Sequence, residues 1–230
     1  MLKTTALKIT ASLSTDIILS PNAHLTLDSV LHHALTERFH GDAARALKEI
    51  PLKKSGTVFA ASAAFFPMDR SHYSHKTRVA CLRGDRDAGT HLFTPNAGRS
   101  KSKCYAPFET IRDTHGTGVI RDRYQSIAAP SVFWYANGDE DEIGALLEGL
   151  VGLGRRCNSG HGQIDSISIC GADEDFSLVL PNGRPARPVP IEEWTGDKTD
   201  LRIEMATCVP PYFDVSDREC VIHDSRFVNF

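Results

Sequence analysis

The sequence predicts an α+β fold: a ferredoxin-like (RRM-like) βαββαβ core with a long basic insertion between strands 2 and 3 and a small β-rich C-terminal extension. A strand, helix, strand order that occurs twice, an aperiodic stretch between the two occurrences and a proline-rich C-terminal part favour this fold. An apolar content of 41% in 230 residues is enough for a packed core. We expect a single domain over residues 1–230, with its core at 1–66 and 130–172, its insertion at 67–129 and its extension at 173–230.

The first two elements follow from their apolar periodicity. Residues 4–13 alternate between apolar and polar side chains, which is typical of a half-buried strand. From Leu27 to Leu35 the apolar residues recur at helical spacing, and Thr26 or Asp28 could cap the first turn. A helix of about three turns is therefore expected after the first strand.

A second strand and the insertion come next. Residues 57–66 (TVFAASAAFF) are apolar, and we expect them to form one buried strand that Pro67 ends. Residues 67–129 contain several glycines and show little periodicity. Because a featureless connection of this length is uncommon in a compact domain, we interpret it as a functional insertion that forms a hairpin or an arm.

Regular structure resumes with SVFWYA at 131–136, which reads as a strand. Four acidic residues at 139–142 then oppose the positive end of a helix dipole. The apolar residues that predict this helix are Ile143, Leu146, Leu147, Leu150, Val151 and Leu153. A last core strand, QIDSISIC at 163–170, follows a glycine-rich loop. In the extension, the PNG turn at 181–183 predicts a short hairpin.

Charge is distributed unevenly along the chain. The formal net charge is −3, yet Met68 to Tyr124 carries 11 Lys and Arg against 6 Asp and Glu, and the rest carries 15 against 23. A basic arm on an acidic body and an ordinary solvated loop explain this asymmetry equally well.

The glycine-rich loop, GLGRRCNSGHG at residues 152–162, has the residue types that bind phosphate. Its glycines permit positive φ and let backbone amides approach an anion, while arginine forks bind phosphate oxygens at two points. The loop leaves a helix C-terminus, so the arginines have to supply the positive potential. A glycine cap followed by a tight turn is the alternative. The candidate RNA-binding residues are Gly152, Gly154, Arg155, Arg156, Asn158, Ser159, Gly160, His161 and Gly162.

Cysteine usage and hydropathy exclude several other classes. The six cysteines form no CxxC pair and no Cys/His cluster with zinc spacing, so we expect small semi-buried thiols and neither metal nor cofactor. No stretch reaches the roughly 18 apolar residues of a membrane span, and the N-terminus lacks a secretory pattern. We therefore expect a cytoplasmic protein with no membrane association.

Several segments, in order from about residue 20 to residue 194, resemble a known family. They are HLTLDSVLHHAL, IPLKK, FAASAAFF, WYANGDEDEIGALLEGLVGLGRRCNSGHGQIDSISI and GRPARPVPIEEW. The loop is similar to that of the repeat-associated (RAMP) superfamily of CRISPR proteins. Together the segments resemble the type IV effector subunit that binds the 5′ handle of the guide RNA (a Cas five-like protein).

The resemblance implies a non-catalytic RNA-binding subunit in RNA-guided recognition of foreign DNA, for defence against viruses and plasmids. Its partners would be the guide RNA (crRNA), the large subunit and the backbone subunit, with target DNA in the assembled complex. In the family an inserted thumb contacts RNA and a neighbouring subunit, a role that here falls to residues 67–129. The candidate contacts there are Arg99, Lys101, Lys103, Arg121 and Arg123. Where many relatives have an aromatic residue, this loop has His161.

Two alternatives stay open. Some superfamily members cut CRISPR repeat RNA without metal, and the acid and base candidates here are His24, His32, His33, His161, Tyr105 and Tyr124. A small-molecule-binding ferredoxin-like domain is the other alternative, but it gives no reason for a long basic insertion.

Overall fold

The computed structural model describes residues 4–20, 24–81, 111–112, 118–196, 199, 201–212, 218–223 and 225–229, with the backbone alone at 78–81, 111–112 and 118–123. In chain order its elements are β1 (Thr5–Leu13), α1 (Leu27–Arg38), α2 (Ala43–Lys48), β2 (Lys54–Ser55), β3 (Val58–Phe59), β4 (Phe66–Pro67), β5 (His72–Cys81), β6 (Ile111–Arg112), β7 (Gly118–Ala128), β8 (Ser131–Gly138), α3 (Glu140–Leu147), β9 (Ile164–Gly171), β10 (Val189–Pro190), β11 (Arg202–Ala206), β12 (Arg218–Ile222) and β13 (Phe227–Val228). The fold is α+β and divides into two compact units, residues 1–73 with 127–230 and residues 74–126.

The main sheet of the larger unit has β1 at its centre. β8 and β9 pair with β1 on either side, and both pairings are antiparallel. The alternation that predicts β1 is present, because Leu7 and Ile9 are buried while Lys8 and Thr10 between and beside them are only partly so. The expected first strand is confirmed.

Two helices supply the other side of the core. Leu31 of α1 and Ile143 of α3 are both fully buried in the same apolar cluster as β1. Asp139 caps α3, since its Oδ1 accepts a hydrogen bond from the Glu142 amide at 3.2 Å. Thr26 precedes α1 but makes no capping bond with its side chain.

The helix predicted up to Leu153 is shorter than expected. α3 ends at Leu147, and the Leu150 amide donates to the Leu147 carbonyl at 3.0 Å in a tight turn. Gly149 and Gly152 disfavour continued helix because glycine loses more backbone entropy than other residues. Leu153 is still buried, but it reaches the core from the loop.

The prediction of a single strand over residues 57–66 is also wrong. Only β3 and β4 are regular there, and the residues between them approach β8 through isolated antiparallel bridges, Ala61 to Ala136 and Phe65 to Phe133. At Ser62 the side-chain Oγ accepts the Tyr135 amide at 2.9 Å. The hydrogen-bonded pairing between this segment and β8 is therefore interrupted at Ser62, where a side chain accepts a bond from the β8 backbone.

The smaller unit contains a three-stranded sheet in the order β5, β7, β6. β6 pairs antiparallel with β7, with Ile111 opposite Val119. Residues 74–126 fall inside the stretch 67–129 that the sequence predicts as an insertion.

The C-terminal residues form β structure on the larger unit. β12 lies between β10 and β11, and β13 runs parallel to β4. The predicted turn at 181–183 is present, since the Leu180 amide donates to the Arg184 carbonyl at 2.8 Å and Gly183 has a φ of +76°. No helix among the described residues is long and apolar enough to cross a membrane.

Candidate nucleic-acid interface

The glycine-rich loop is anchored to the segment that follows β1. The Arg155 amide donates to the Ile18 carbonyl at 2.8 Å, and the Gly162 amide donates to the Asp16 carbonyl at 2.9 Å. Across the base of the loop, the Leu153 amide donates to the Gly162 carbonyl at 2.9 Å. These bonds fix both ends of the loop to the core.

Two of the glycines are required by this packing. Gly154 has a φ of +80°, and a Cβ there would lie 2.5 Å from the Ile18 carbonyl oxygen. Gly162 has a φ of +63°, and a Cβ there would overlap the Leu153 carbonyl. Gly160 also has a positive φ, +82°, but nothing lies within 4 Å of its Cβ position. Close backbone contact therefore explains Gly154 and Gly162, and conformation alone explains Gly160.

Several of the loop's backbone amides already have partners inside the chain. Besides Arg155 and Gly162, the Ser159 amide donates to the Arg156 carbonyl at 2.8 Å and the Gly160 amide donates to the Cys157 carbonyl at 3.0 Å. An amide that already has a partner inside the chain is a poor donor to a ligand. At these positions, contacts with phosphate would have to come from side chains.

The two arginines differ in their surroundings. Arg155 is exposed, its Nη1 lies 3.5 Å from Ser20 Oγ, and it makes no ion pair among the described residues. Arg156 is half-buried and has a left-handed φ of +64°. That conformation costs a non-glycine residue about 1 kcal/mol. Strain of this kind is more common at functional sites than elsewhere.

The polar residues of the loop lie around the arginines. Asn158 and Ser159 are exposed, and His161 is half-buried. Cys157 donates from Sγ to the Gly154 carbonyl at 3.3 Å, and burial raises the pKa of Cys157, so it is a packed thiol. The sequence has no acidic residue between Glu148 and Asp165. Positive charge in this loop is thus not offset by a carboxylate of the loop itself.

The candidate residues of the insertion are placed less fully. Arg99, Lys101 and Lys103 lie outside the described residues. Arg121 and Arg123 lie on β7, where only the backbone is described. These five remain predictions.

The acid and base candidates are dispersed among different environments. His32 is buried, with Nε2 3.0 Å from the Ala43 carbonyl, and His33 is exposed with Nε2 3.6 Å from Glu37 Oε1. Tyr124 is half-buried in the smaller unit, and Tyr105 lies outside the described residues. Within the described ranges, no three His, Cys, Asp or Glu side chains are grouped to hold a metal ion.

His24 meets a residue that sequence reasoning did not single out. Its ring packs edge-on against His223, with 5.0 Å between centroids, and Nδ1 of each ring is buried without a hydrogen-bond partner. Burial, followed by the charge of Arg226, lowers the pKa of His24 to about 4. Burial and then His24 lower the pKa of His223 to about 3. His223 is buried and His24 is half-buried, and this mutual packing with a lowered pKa suits a structural role better than catalysis.

A buried arginine was also missed. Arg187 is fully buried, and its Nη1 lies 3.0 Å from Asp28 Oδ2 while its Nη2 donates to the Tyr212 hydroxyl at 2.7 Å and to the Cys208 carbonyl at 2.6 Å. It also donates to the Phe59 carbonyl at 2.8 Å. Burial alone would lower the pKa of Arg187, but the adjacent Asp28 carboxylate raises it overall. We call Arg187, Asp28 and Tyr212 the buried arginine network.

Nothing in the local sequence points to the buried arginine network. Arg187 stands among turn residues in GRPARP, and Asp28 reads as a first-turn acid of α1. The only available signal was that Asp28 shares the apolar face of the helix with Leu31 and Leu35. A charge on the apolar side of a helix requires a buried partner.

The chain was matched with known proteins. The family model for Csf3, described as CRISPR type IV associated protein Csf3, matches residues 5–223. No curated protein matches the chain.

Proposed function

This chain belongs to the Csf3 family of CRISPR type IV associated proteins, and we propose from that premise that it is the non-catalytic subunit that binds the 5′ handle of the guide RNA. Membership in the family implies assembly within a CRISPR effector complex. The observation that carries the proposal is the pair of adjacent arginines on a loop whose backbone is bonded to the core at both ends. The binding would contribute to RNA-guided recognition of foreign DNA.

The strand arrangement supports a ferredoxin-like core of the RAMP type. Residues 60–65 lie beside β8, β8 lies beside β1, and β1 lies beside β9, with α1 and α3 contributing to one core. In a βαββαβ unit this order follows when the first and third strands are central. The interrupted second strand departs from the regular form of that fold.

The loop would bind RNA through side chains held by a rigid backbone. Guanidinium groups form two-point contacts with phosphate oxygens, and Asn158, Ser159 and His161 can bond to a ribose hydroxyl or a base edge. Because the amides of Arg155 and Gly162 bond to the segment after β1, and Gly154 and Gly162 pack against backbone, the ends of the loop would lose little conformational entropy on binding. The arginines then supply charge at a defined position.

The insertion and the other partners form the second part of the proposal. Arg99, Lys101, Lys103, Arg121 and Arg123 would extend the contact along the RNA, in agreement with the basic excess between Met68 and Tyr124. The protein partners would be the large subunit and the backbone subunit, with target DNA present in the assembled complex. Co-purification of these subunits and RNA with this chain tests the assignment.

We place cleavage of the repeat RNA outside the role of this chain. Metal-free cleavage needs an acid and a base within hydrogen-bond reach of the 2′ hydroxyl and the leaving oxygen. The environments of His24 and His32 argue against them, since the His32 ring is buried and the half-buried His24 ring packs against His223 with its pKa lowered to about 4. Repeat RNA incubated with the protein without metal should therefore stay intact on a denaturing gel.

The test of binding compares two pairs of neighbouring cations. Arg155→Ala with Arg156→Ala should lower the affinity for 5′-handle RNA strongly, and Lys53→Ala with Lys54→Ala removes the same charge from another exposed position. Each lost phosphate contact to single-stranded RNA lowers the slope of log affinity against log salt by about 0.7. The arginine variant should lose about 1.4 from that slope, and the lysine variant should not. Equal effects in the two variants would contradict the proposal.

A further inference from the structure

The C-terminal end of α3 and strand β9 enclose an open groove of about 590 Å³. Helix and strand are close at Gly144, whose Cβ position lies 3.7 Å from Ile169 Cδ1. α3 ends at Leu147, and the chain returns to the start of β9, where the Ile164 amide donates to the Val151 carbonyl at 3.1 Å. Its apolar lining consists of Leu147, Leu150, Val151, Ile164, Ile167 and Ile169. Val151 is 80% exposed, more than any other large apolar side chain in the described part of the chain.

One edge of β9 is open beside this groove. β9 pairs with β1, with a register shift near Ile164, and with no other named strand among the described residues; its outer edge is occupied at the start, where the Ile164 amide bonds to Val151, and is open from Ser166 onward. Exposed edges are usually short or protected by charged side chains, yet β9 has eight residues and only one charge, Asp165. Its outer backbone donors and acceptors can therefore pair with an added strand.

The charges around the groove restrict what can occupy it. The charged residues in its lining are Glu148 and Asp165, both acidic and exposed. They would repel the phosphates of RNA. Pairing of β9 with a second copy would bring the acidic residues of both copies together, which costs free energy. A segment with apolar and basic residues could pack against the apolar lining and form ion pairs with Glu148 and Asp165.

We propose that β9 and this groove dock an extended, apolar and basic segment of a neighbouring protein subunit, which adds to the sheet next to β9. The inference rests on the proposed function in one respect, namely that the neighbour belongs to the same effector complex. Because the glycine-rich loop leads directly into β9, the docked strand would also hold the end of the RNA-binding loop. The side chains of the partner would enter the groove against Val151 while its Lys or Arg pairs with Glu148.

Site-specific cross-linking tests the placement. The photoreactive residue p-benzoylphenylalanine replaces Val151 in the effector complex, which is purified through a tag on the backbone subunit and irradiated. Mass spectrometry should then identify a cross-link to a protein segment that contains Lys or Arg. Val151→Glu should lower the amount of this chain that co-purifies about tenfold, as a loss of roughly 1.4 kcal/mol would.

A control variant and an independent measurement separate the possible outcomes. Met205 is also an exposed apolar residue on a strand, 61% exposed on β11, and Met205→Glu should leave co-purification unchanged. Circular dichroism of Val151→Glu should match that of the unmodified chain. A cross-link to RNA or to a second copy, or co-purification of Val151→Glu within twofold of the unmodified chain, overturns the docking proposal. The paired Arg155 and Arg156 variant tests RNA binding separately, so failure of one proposal leaves the other measurable.

Discussion

The glycine-rich loop and the buried arginine network present the same side chain in opposite environments. Arg187 is fully buried, and a carboxylate, a phenol and backbone carbonyls surround its guanidinium group. Arg155 is exposed, with one hydroxyl at 3.5 Å. A guanidinium whose hydrogen bonds are satisfied inside the chain contributes to folding, whereas one that is left to solvent can bind a ligand. Variants in the two regions should therefore change different measurements.

The largest effect on stability is expected for Arg187→Met. It leaves the carboxylate of Asp28 buried without its cation, which costs about 3–5 kcal/mol. Unfolding in guanidinium chloride measures the loss. Arg155→Met is the control and should change the free energy of unfolding by no more than about 0.5 kcal/mol. A loss below about 1 kcal/mol for Arg187→Met would contradict the conclusion that Arg187, unlike Arg155, stabilises the fold.

Acid should destabilise the same part of the molecule through His24 and His223. Above pH 6.5 both rings are neutral in the folded and the unfolded chain, so they add no pH dependence. Below pH 6.5 the unfolded chain takes up protons that the folded chain binds only near pKa values of about 4 and about 3. Each ring then lowers the free energy of unfolding by about 1.4 kcal/mol per pH unit.

The pH dependence can be assigned with one variant. His223→Phe keeps an aromatic ring against Phe65 and His24 but removes one titrating group. Between pH 6.5 and 5, the mean slope of unfolding free energy against pH should fall by about 1.1 kcal/mol per unit in this variant. An unchanged slope would show that His223 is accessible to protons in the folded chain.

Alanine substitutions at two glycines of the loop distinguish the energetic cost of a positive φ from the cost of a steric clash. Gly162→Ala adds a Cβ that overlaps the Leu153 carbonyl at a positive φ, and it should cost about 2 kcal/mol or more. Gly160→Ala has the same sign of φ but open space, so its cost should be about 1 kcal/mol. Thermal unfolding measures both variants. Equal costs would mean that the loop moves away from the core without penalty.

Only a small effect on stability is expected for Arg156→Gly. Glycine relieves the left-handed strain at this position and gains entropy in the unfolded chain, so the two effects should cancel to within about 1 kcal/mol. Affinity for 5′-handle RNA should nevertheless fall, as measured by filter binding. A variant that binds RNA as well as the unmodified chain would assign the strain at Arg156 to the fold alone.

The spacing of apolar residues along the sequence correctly predicted the elements whose formation depends mainly on that spacing. β1 and α1 begin within a residue of their predicted starts, because their apolar residues face one core. The prediction of a single strand at 57–66 was wrong because the carbonyls of Phe59 and Ala61 accept hydrogen bonds from Arg187, which is distant in the sequence. No spacing rule links Arg187 to residues about 130 to 160 positions earlier.

For the loop, the sequence indicated the residue types but not their use. Glycine permits positive φ, and Gly154, Gly160 and Gly162 adopt it while Gly152 does not. The reason differs, since Gly154 and Gly162 accommodate backbone from the segment after β1 and from Leu153. Such close approach depends on tertiary contacts between distant segments, which cannot be predicted from the local spacing of residues in one sequence.

The pairing of β13 with β4 has a consequence for synthesis on the ribosome. Phe227 lies opposite Phe66, and the larger unit joins residues 1–73 to residues 127–230. The early half of the core therefore lacks one of its partner strands until β13 has been translated. Contacts of such long sequence separation slow folding. Nascent chains that lack β13 should depend on chaperones, and deletion of β13 should lead to degradation.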